Sequence, residues 1–206
     1  MSYFPFFMEI KEQKCLVVGG GMVALRKIEK LLPFGVEITV VSPAFCMEIE
    51  EMEGISRICR KFEPVDVEGN LFVIGATDEE GVNGEISALC RERNIPVNIV
   101  DDPEKCTFFF PALVKQGEFV AGFSTGGGSP LAAQYIRRKV EESVPEGFDR
   151  VVEIMAEIRG RIKAEIPDIK ERERILKEIF ALALAKAGNI SATEIEEIIR
   201  KEGEYA

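Results

Sequence analysis

The sequence predicts an α/β fold with a Rossmann-type parallel sheet, followed by a small α+β segment and a helical C-terminal domain. Three observations predict it: apolar runs alternate with helical periodicity up to Asp101, a glycine-rich turn follows the first run, and the chain beyond Pro145 is glycine-poor and helical. The predicted strands are residues 15–18, 37–41, 55–62, 71–76 and 97–100, and the predicted helices begin near residues 22, 45 and 80, with a stop of the first helix at Pro33-Phe34-Gly35. In the C-terminal part, Asp168 is expected to cap one helix, and Ser191 with Glu194 to form a capping box that opens the last helix. Residues 4–10 are expected to add an edge strand or to pack across the first strand.

The turn after the first strand carries a functional signal. It reads Gly19-Gly20-Gly21-Met22-Val23-Ala24, which is the G-x-G-x-x-A form of the dinucleotide-binding pattern. Glycine allows a tight turn with no side chain between backbone and ligand, and the helix that follows directs free N–H groups at a pyrophosphate. The pattern predicts a nucleotide site, and a purely structural turn is the alternative.

Ligands of such sheets bind beyond the carboxyl ends of the strands. The segments that follow the strands should therefore border one cleft, and the expected cofactor contacts are Gly19, Gly20, Gly21, Met22, Val23, Ser42, Pro43, Ala44, Ala76 and Thr77. The second strand ends in Ser42-Pro43 instead of the usual acidic residue, so Ser42 either bonds a ribose or only ends the strand. No Arg or Lys follows before Arg57 to neutralise a 2′-phosphate, which favours NAD over NADP.

Composition argues against several classes of function. A formal net charge of −10 argues against sequence-independent nucleic-acid binding. The chain has no histidine, which removes imidazole acid-base catalysis, imidazole metal ligands and Ser-His or Cys-His pairs, and we predict no metal site. Five cysteines without a C-x-x-C pair indicate reduced thiols, and no apolar run approaches membrane length, so a cytoplasmic protein is expected.

Beyond Asp101 the alternation of strand and helix ends. The run Phe108-Phe109-Phe110 is expected to be core, a dimer contact or a wall for a flat ligand. Residues 113–115 and 119–124 form a predicted hairpin that is too small to cover its own apolar face, so we expect a homodimer. The predicted domains are residues 1–110 for NAD binding, 111–145 for dimerisation and the substrate loop, and 146–206 as a helical cap.

A second glycine loop precedes the next helix. Ser129 suits the N-cap and Pro130 the first helical position, so one interpretation is a well-capped helix. Three glycines are more than capping requires, and the alternative is an anion site formed by Gly126, Gly127, Gly128 and Ser129 with Arg137, Arg138 and Lys139 of the same helix.

These motifs together resemble those of the precorrin-2 dehydrogenase family, the N-terminal part of siroheme synthase. The resemblance covers about residues 3–145 and rests on Phe4-Pro5, the first glycine turn with Arg26-Lys27, Ala76-Thr77-Asp78, Val82-Asn83, residues 98–103, Phe108, Pro111 and residues 124–130. It implies NAD-dependent oxidation of precorrin-2 to sirohydrochlorin in siroheme biosynthesis. In some members of the family, insertion of Fe²⁺ follows.

Asp101 is the candidate catalytic residue. A carboxylate at the end of a sheet strand beside the expected nicotinamide can act as a general base, although from the residues alone a turn-forming Asp is favoured. The resemblance implies that Asp101 is the essential carboxylate of the family. It also implies a polycarboxylate substrate, for which the second glycine loop with Arg137 and Arg138 supplies candidate donors. The alternative functions are an NAD-sensing regulatory module and a chelatase without dehydrogenase activity.

Overall fold

The computed structural model describes residues 4–203, with side chains up to residue 201. Within this part the chain divides into two compact units, one formed by Phe4–Phe110 and one that begins at Pro111. No helix within the described residues is long and apolar enough to cross a membrane. The separation of residues 111–145 from 146–206 as distinct domains stays a prediction.

The first unit is a parallel sheet with helices, as the alternation predicted. Its strands, β1 to β5 in chain order, are Lys14–Val18, Glu37–Ser42, Ile55–Cys59, Phe72–Gly75 and Val97–Ile99. The helices α1, α2 and α3 are Met22–Leu31, Met47–Glu51 and Glu80–Glu92. All strand pairs are parallel in the order β3-β2-β1-β4-β5. The chain adds β2 and β3 on one side of β1 and then crosses to add β4 and β5 on the other side, so the strand order changes direction between β1 and β4. That reversal puts the predicted ligand edge beside the glycine turn.

The central strand is buried on both faces, which explains its continuous apolar run. Cys15 and Val17 pack in one core with α1, whereas Leu16 and Val18 pack in the other with α3. Helix α1 ends where Pro33-Phe34-Gly35 predicted: a 3-10 turn at Leu32–Phe34 follows it, and Gly35 adopts a φ of 67°. The helices are thus fixed against the sheet, and their N-termini lie where the strands end.

The expectation for residues 4–10 was partly wrong. They form no strand, and the sheet ends at β3 on one side and at β5 on the other. Phe4, Phe6 and Phe7 are exposed, and Ile10 alone of this segment packs against the core beside α1.

The second unit begins with the predicted hairpin and continues as helices. Strands β6 (Ala112–Gln116) and β7 (Phe119–Phe123) pair antiparallel through Gly117 and Glu118. The helices α4 to α7 are Pro130–Ser143, Phe148–Glu165, Ile169–Ala185 and Ala192–Gly203. The caps expected from sequence are present: Ser129 and Asp168 accept hydrogen bonds from Ala132 and Glu171 N–H groups, and Ser191 and Glu194 form a reciprocal capping box. Isoleucines of the last three helices form the core, which contains Ile158, Ile162, Ile175, Ile179 and Ile198.

Candidate active site

Two of the three glycines after β1 are required by close packing of the backbone. A Cβ on Gly19 would lie 2.3 Å from the carbonyl oxygen of Ala76, and Gly19 has a φ of 119°. A Cβ on Gly20 would lie 2.1 Å from the carbonyl oxygen of Ala44. The turns after β1, β2 and β4 therefore contact one another directly. The convergence of these segments that the parallel sheet predicted is observed.

The third glycine has a different environment. Nothing lies within 4 Å of a Cβ placed on Gly21, and this residue is the N-cap of α1 without any side-chain capping bond. The first turn of α1 carries no acidic residue, and Met22 and Val23 are exposed. An uncapped helix N-terminus with open space before it offers N–H groups and a positive dipole end to an anion. These residues fit the pyrophosphate of a dinucleotide.

Of the two alternatives for Ser42, the structure favours the turn that ends the strand. Ser42 is only 6% exposed, and its hydroxyl donates to the carbonyl oxygen of Ala44 at 2.6 Å. The side chain therefore stabilises the turn after β2. Pro43 and Ala44 are exposed at the same strand end, and their contact with a cofactor stays a prediction.

The first basic residue after this turn, Arg57, is already hydrogen-bonded to the backbone. Arg57 donates from Nη1 to the carbonyl oxygens of Ile49 and Met52 at 3.0 and 2.6 Å, which satisfies the C-terminal end of α2. This bonding keeps its guanidinium at α2 and adds to the argument for NAD over NADP.

The turn after β4 is held by a buried amide. Asn83 on α3 donates to the carbonyl oxygen of Thr77 at 2.8 Å and accepts from the Thr77 hydroxyl at 3.1 Å. Ala76 and Thr77, both predicted cofactor contacts, are half-buried beside the Gly19 turn. Asn83 was quoted in the sequence resemblance without a role, and the structure gives it this positioning role.

Asp101 is exposed and follows β5 with a φ of 60°, a left-handed backbone conformation that Asp adopts more readily than most residues. The N–H of Val100 donates to the carbonyl oxygen of Gly75 at 2.9 Å, so the strand end is paired up to the residue before Asp101. The carboxylate thus stands at the carboxyl edge of the sheet, as the sequence predicted.

Asp102 has a structural role instead. It forms an ion pair with Lys105 at 2.6 Å and caps the 3-10 turn Pro103–Lys105. Its hydrogen bond with Lys105 holds the pKa of the Asp102 carboxyl below its usual range. The two neighbouring aspartates therefore have different tasks.

Lys27, which the sequence resemblance quoted without a role, lies beside an aromatic ring. Its ammonium lies 4.5 Å from the centroid of the Phe110 ring, a cation–π contact. Burial lowers the pKa of Lys27, and Lys30 lowers it further, whereas Cys106 and Asp101 act in the opposite direction. The available signal was its spacing, because Lys27 lies one helical turn after Val23 on α1. It supplies a local positive charge in the unit that contains Asp101.

Two of the three consecutive phenylalanines, Phe108 and Phe110, pack against the hydrophobic core. The Phe108 ring contacts the rings of Phe72 and Phe110, with centroids 5.6 and 5.4 Å apart. Both Phe108 and Phe110 pack against the core beside α1, while Phe109 is 40% exposed.

The second glycine loop uses most of its donors internally. Three of the four backbone N–H groups from Gly126 to Ser129 donate within the loop. The N–H of Gly126 donates to the Ser124 hydroxyl, that of Gly128 to the Thr125 carbonyl oxygen, and that of Ser129 to the Thr125 hydroxyl. The Gly127 N–H is the one left to an anion. Gly126 and Gly127 have φ values of 62° and 85°, which explains glycine at these two positions.

Arg137 and Arg138 do not join this loop in a single anion site. They follow Ser129 by about eight residues along α4, or about 12 Å at 1.5 Å per residue. Arg137 is also engaged by Glu141 at 2.7 Å and by Gln134 at 3.1 Å. The anion site stays a prediction, in which the loop and the arginines are two separate candidate contacts along α4.

Comparison with known proteins agrees with this geometry. Residues 6–112, about half of the chain, match the family model described as "Putative NAD(P)-binding". The chain belongs to this NAD(P)-binding family. The matched range contains every predicted cofactor contact and Asp101.

Relatives and a solved structure extend the comparison. The siroheme synthase of Thioalkalivibrio sulfidiphilus is 41% identical over 183 residues, which cover 87% of this chain and 37% of that protein. The siroheme synthase of Methylococcus capsulatus is 37% identical over 175 residues, which cover 84% of this chain and 37% of that protein. The chain thus spans about two-fifths of the length of these curated relatives.

The fold is shared with SirC, precorrin-2 dehydrogenase, at a TM-score of 0.72 and 24% identity, with 98% of this chain and 100% of that chain covered. These matches confirm the resemblance that the motifs suggested.

Gly21→Ala is expected to weaken NAD binding without lowering stability. The added methyl group enters the open space at the N-terminus of α1, and the φ of −91° at Gly21 suits alanine. We expect NAD affinity to fall by about tenfold, or about 1.4 kcal/mol, with an unchanged unfolding temperature. Calorimetry and thermal unfolding measure the two quantities.

Two matched variants complete this test. Gly20→Ala should destabilise the fold, because its Cβ would meet the Ala44 carbonyl. Gly84→Ala, in open space inside α3, should leave NAD affinity unchanged and raise stability by about 0.5–1 kcal/mol. Equal NAD affinities of Gly21→Ala and the wild type would contradict the assignment of the α1 N-terminus.

Proposed function

We propose that this protein oxidises precorrin-2 to sirohydrochlorin with NAD as the hydride acceptor. The observation that carries the proposal is Asp101, an exposed carboxylate held in a left-handed conformation at the carboxyl edge of an NAD(P)-binding sheet. Strained residues of this kind cluster at functional sites. The siroheme synthase relatives and the fold of SirC, precorrin-2 dehydrogenase, support the choice of substrate. An NAD-sensing module needs no carboxylate at this edge.

The residues of the first unit have distinct tasks in this reaction. Oxidation removes one hydride and one proton from the macrocycle, and bound NAD supplies the acceptor for the hydride. The α1 N-terminus at Gly21, Met22 and Val23 would bind the pyrophosphate, and Pro43 with Ala44 would border the adenosine. Asp101 accepts the proton at a carboxylate oxygen as conjugation extends through the macrocycle. Lys27 places a positive charge in the same unit, which favours an anionic substrate in a protein of net charge −10.

The second unit, taken by itself, is proposed to offer two contacts for carboxylates. The Gly127 N–H and the N-terminus of α4 form one contact, and Arg137 and Arg138 form another further along this helix. A macrocycle with carboxylates around its rim can use separated contacts, so the distance along α4 is compatible with one ligand.

Asp101→Asn tests the catalytic assignment. The substitution keeps the shape of the side chain and removes the base, so we expect unchanged NAD affinity and a turnover lower by about 10²–10⁴-fold. Precorrin-2 oxidation is followed by absorbance, and NAD affinity by calorimetry. The matched control is Asp102→Asn, which should mainly lower the unfolding temperature, because Asp102 pairs with Lys105. Near-normal turnover of Asp101→Asn would show that the proton leaves to another group.

The same variant reports on insertion of Fe²⁺ into sirohydrochlorin. Metal insertion displaces two pyrrole protons, which a carboxylate in a shared site would also accept. Loss of both activities in Asp101→Asn would assign them to one site, whereas loss of oxidation alone would separate them.

NAD is expected to be preferred to NADP. No Arg or Lys follows β2 before Arg57 to pair with a 2′-phosphate, and the Arg57 guanidinium bonds the end of α2. The measurement is kcat/KM for each cofactor at fixed precorrin-2. Equal values would refute the preference.

We also propose a homodimer built on residues 111–145. Leu131 and Tyr135 lie one helical turn apart on α4 and are 83% and 55% exposed, and Ala133 is the one buried residue of this helix. Such an apolar surface beside a two-stranded sheet suits pairing with a second copy.

Sedimentation should give about twice 22.9 kDa for the wild type and 22.9 kDa for Leu131→Glu/Tyr135→Glu. Ile169→Glu is the control, because Ile169 is similarly exposed but lies on α6. A wild-type monomer at micromolar concentration would contradict the proposal.

A further inference from the structure

The left-handed backbone conformation of Asp101 needs contacts from neighbouring residues to stabilise it. A φ of 60° is uncommon for a residue with a side chain, and such a conformation persists only where surrounding contacts fix it. Asp101 lies between Val100, whose N–H is bonded to Gly75, and Asp102, which caps the next turn. The direction of its carboxylate therefore depends on what joins the two sides of this turn.

One backbone bond spans the turn, a long one of 3.5 Å from the N–H of Asp102 to the carbonyl oxygen of Ile99. The sulfur of Cys106 adds closer contacts to both sides. The thiol lies 3.1 Å from the carbonyl oxygen of Ile99 and 3.2 Å from that of Asp102, so it can donate to either. The same sulfur accepts from the N–H of Ile99 at 3.2 Å and from Nδ2 of Asn98 at 3.5 Å. Its contacts thus bracket Val100 and Asp101 from the strand on one side and from the following turn on the other.

Other contacts hold Cys106 itself in place. Ser87 on α3 donates to the carbonyl oxygen of Lys105 at 2.8 Å, and Arg91 donates to that of Glu104 at 2.7 Å. Thr107 pairs with the backbone of Val97 through its N–H and its hydroxyl, both at 2.8 Å. Residues 104–107 are therefore fixed to α3 and β5, and Cys106 extends from this anchored segment to the Asp101 turn.

The Cys106 side chain is a protonated thiol, which can donate a hydrogen bond. Cys106 is half-buried, and burial raises its pKa above the ordinary value for cysteine. At neutral pH it is a thiol, which can donate to a carbonyl while its lone pairs accept from N–H groups.

We propose that Cys106 is a positioning residue whose thiol closes the Ile99–Asp102 turn and so directs the Asp101 carboxylate to the reacting macrocycle. The inference rests on the function proposed for Asp101. It assigns Cys106 no contact with substrate and no chemical step.

Cys106→Ala removes the sulfur contacts and should lower kcat for precorrin-2 oxidation by about ten- to a hundredfold, the usual cost of a displaced catalytic group. KM for NAD should stay unchanged, because the glycine turn and α1 are not altered. Cys106→Ser should retain most of kcat, since a hydroxyl donates to the same carbonyls. Hydrogen exchange of the amides of residues 100–105 should be faster in Cys106→Ala and close to normal in Cys106→Ser.

The control is Cys90→Ala, which removes a fully buried thiol from the core of the same unit beside α3. It should lower the unfolding temperature at least as much as Cys106→Ala but leave kcat unchanged. If Cys106→Ala does not fold, Cys106→Val, which fills the space and cannot donate, replaces it.

Normal kcat with normal exchange of residues 100–105 in Cys106→Ala would overturn the proposal, and so would equal losses of kcat in the Cys106 and Cys90 variants. The exchange measurement needs no substrate. If the wild type does not oxidise precorrin-2, the proposed function fails and the catalytic part of this inference fails with it, while exchange still decides whether Cys106 holds the turn.

Discussion

The first unit depends on a close approach of three backbone segments at the carboxyl edge of its sheet. There is no room for a Cβ at Gly19 or Gly20, because the carbonyl oxygens of Ala76 and Ala44 already occupy that space. Only this contact lets α1 begin immediately after β1, with its N-terminus unobstructed at Gly21. The site for the cofactor is thus a consequence of backbone packing, and the side chains around it serve mainly to hold the turns.

Those turns are stabilised by short, local hydrogen bonds. Ser42 holds the turn after β2, Asn83 the turn after β4, and Cys106 the turn after β5. Each uses a polar side chain that is wholly or partly buried, where a hydrogen bond to a fixed partner is stronger than in water. The result is a preorganised edge that includes the exposed carboxylate of Asp101, with the cation of Lys27 nearby. Local charge of this kind lets a protein of net charge −10 attract anionic ligands.

Much of the fold could be predicted because its signals are local in sequence. The alternation of strand and helix, the stop at Pro33-Phe34-Gly35 and the caps at Ser129 and Asp168 each depend on a few adjacent residues. The sequence left open what Ser42 and Arg137 bond. In the structure each side chain bonds a neighbour in the chain, Ala44 in one case and Glu141 in the other.

No role was predicted for Lys27 or Cys106, because each acts through a tertiary contact that no sequence pattern predicts. Lys27 contacts Phe110, which follows it by more than eighty residues, and no pattern within α1 predicts that contact. Cys106 was counted among the reduced thiols, yet its sulfur contacts a strand end that lies seven residues earlier. Composition can state that a thiol is reduced, but only the fold shows which carbonyl it bonds.

The central claim is that this edge of the sheet oxidises precorrin-2 with NAD. The most direct measurement mixes the purified protein with precorrin-2 and NAD in the absence of oxygen and follows NADH and sirohydrochlorin together by absorbance. The account predicts that the two products appear at the same rate and in equal amounts. Binding of NAD without formation of either product would contradict it.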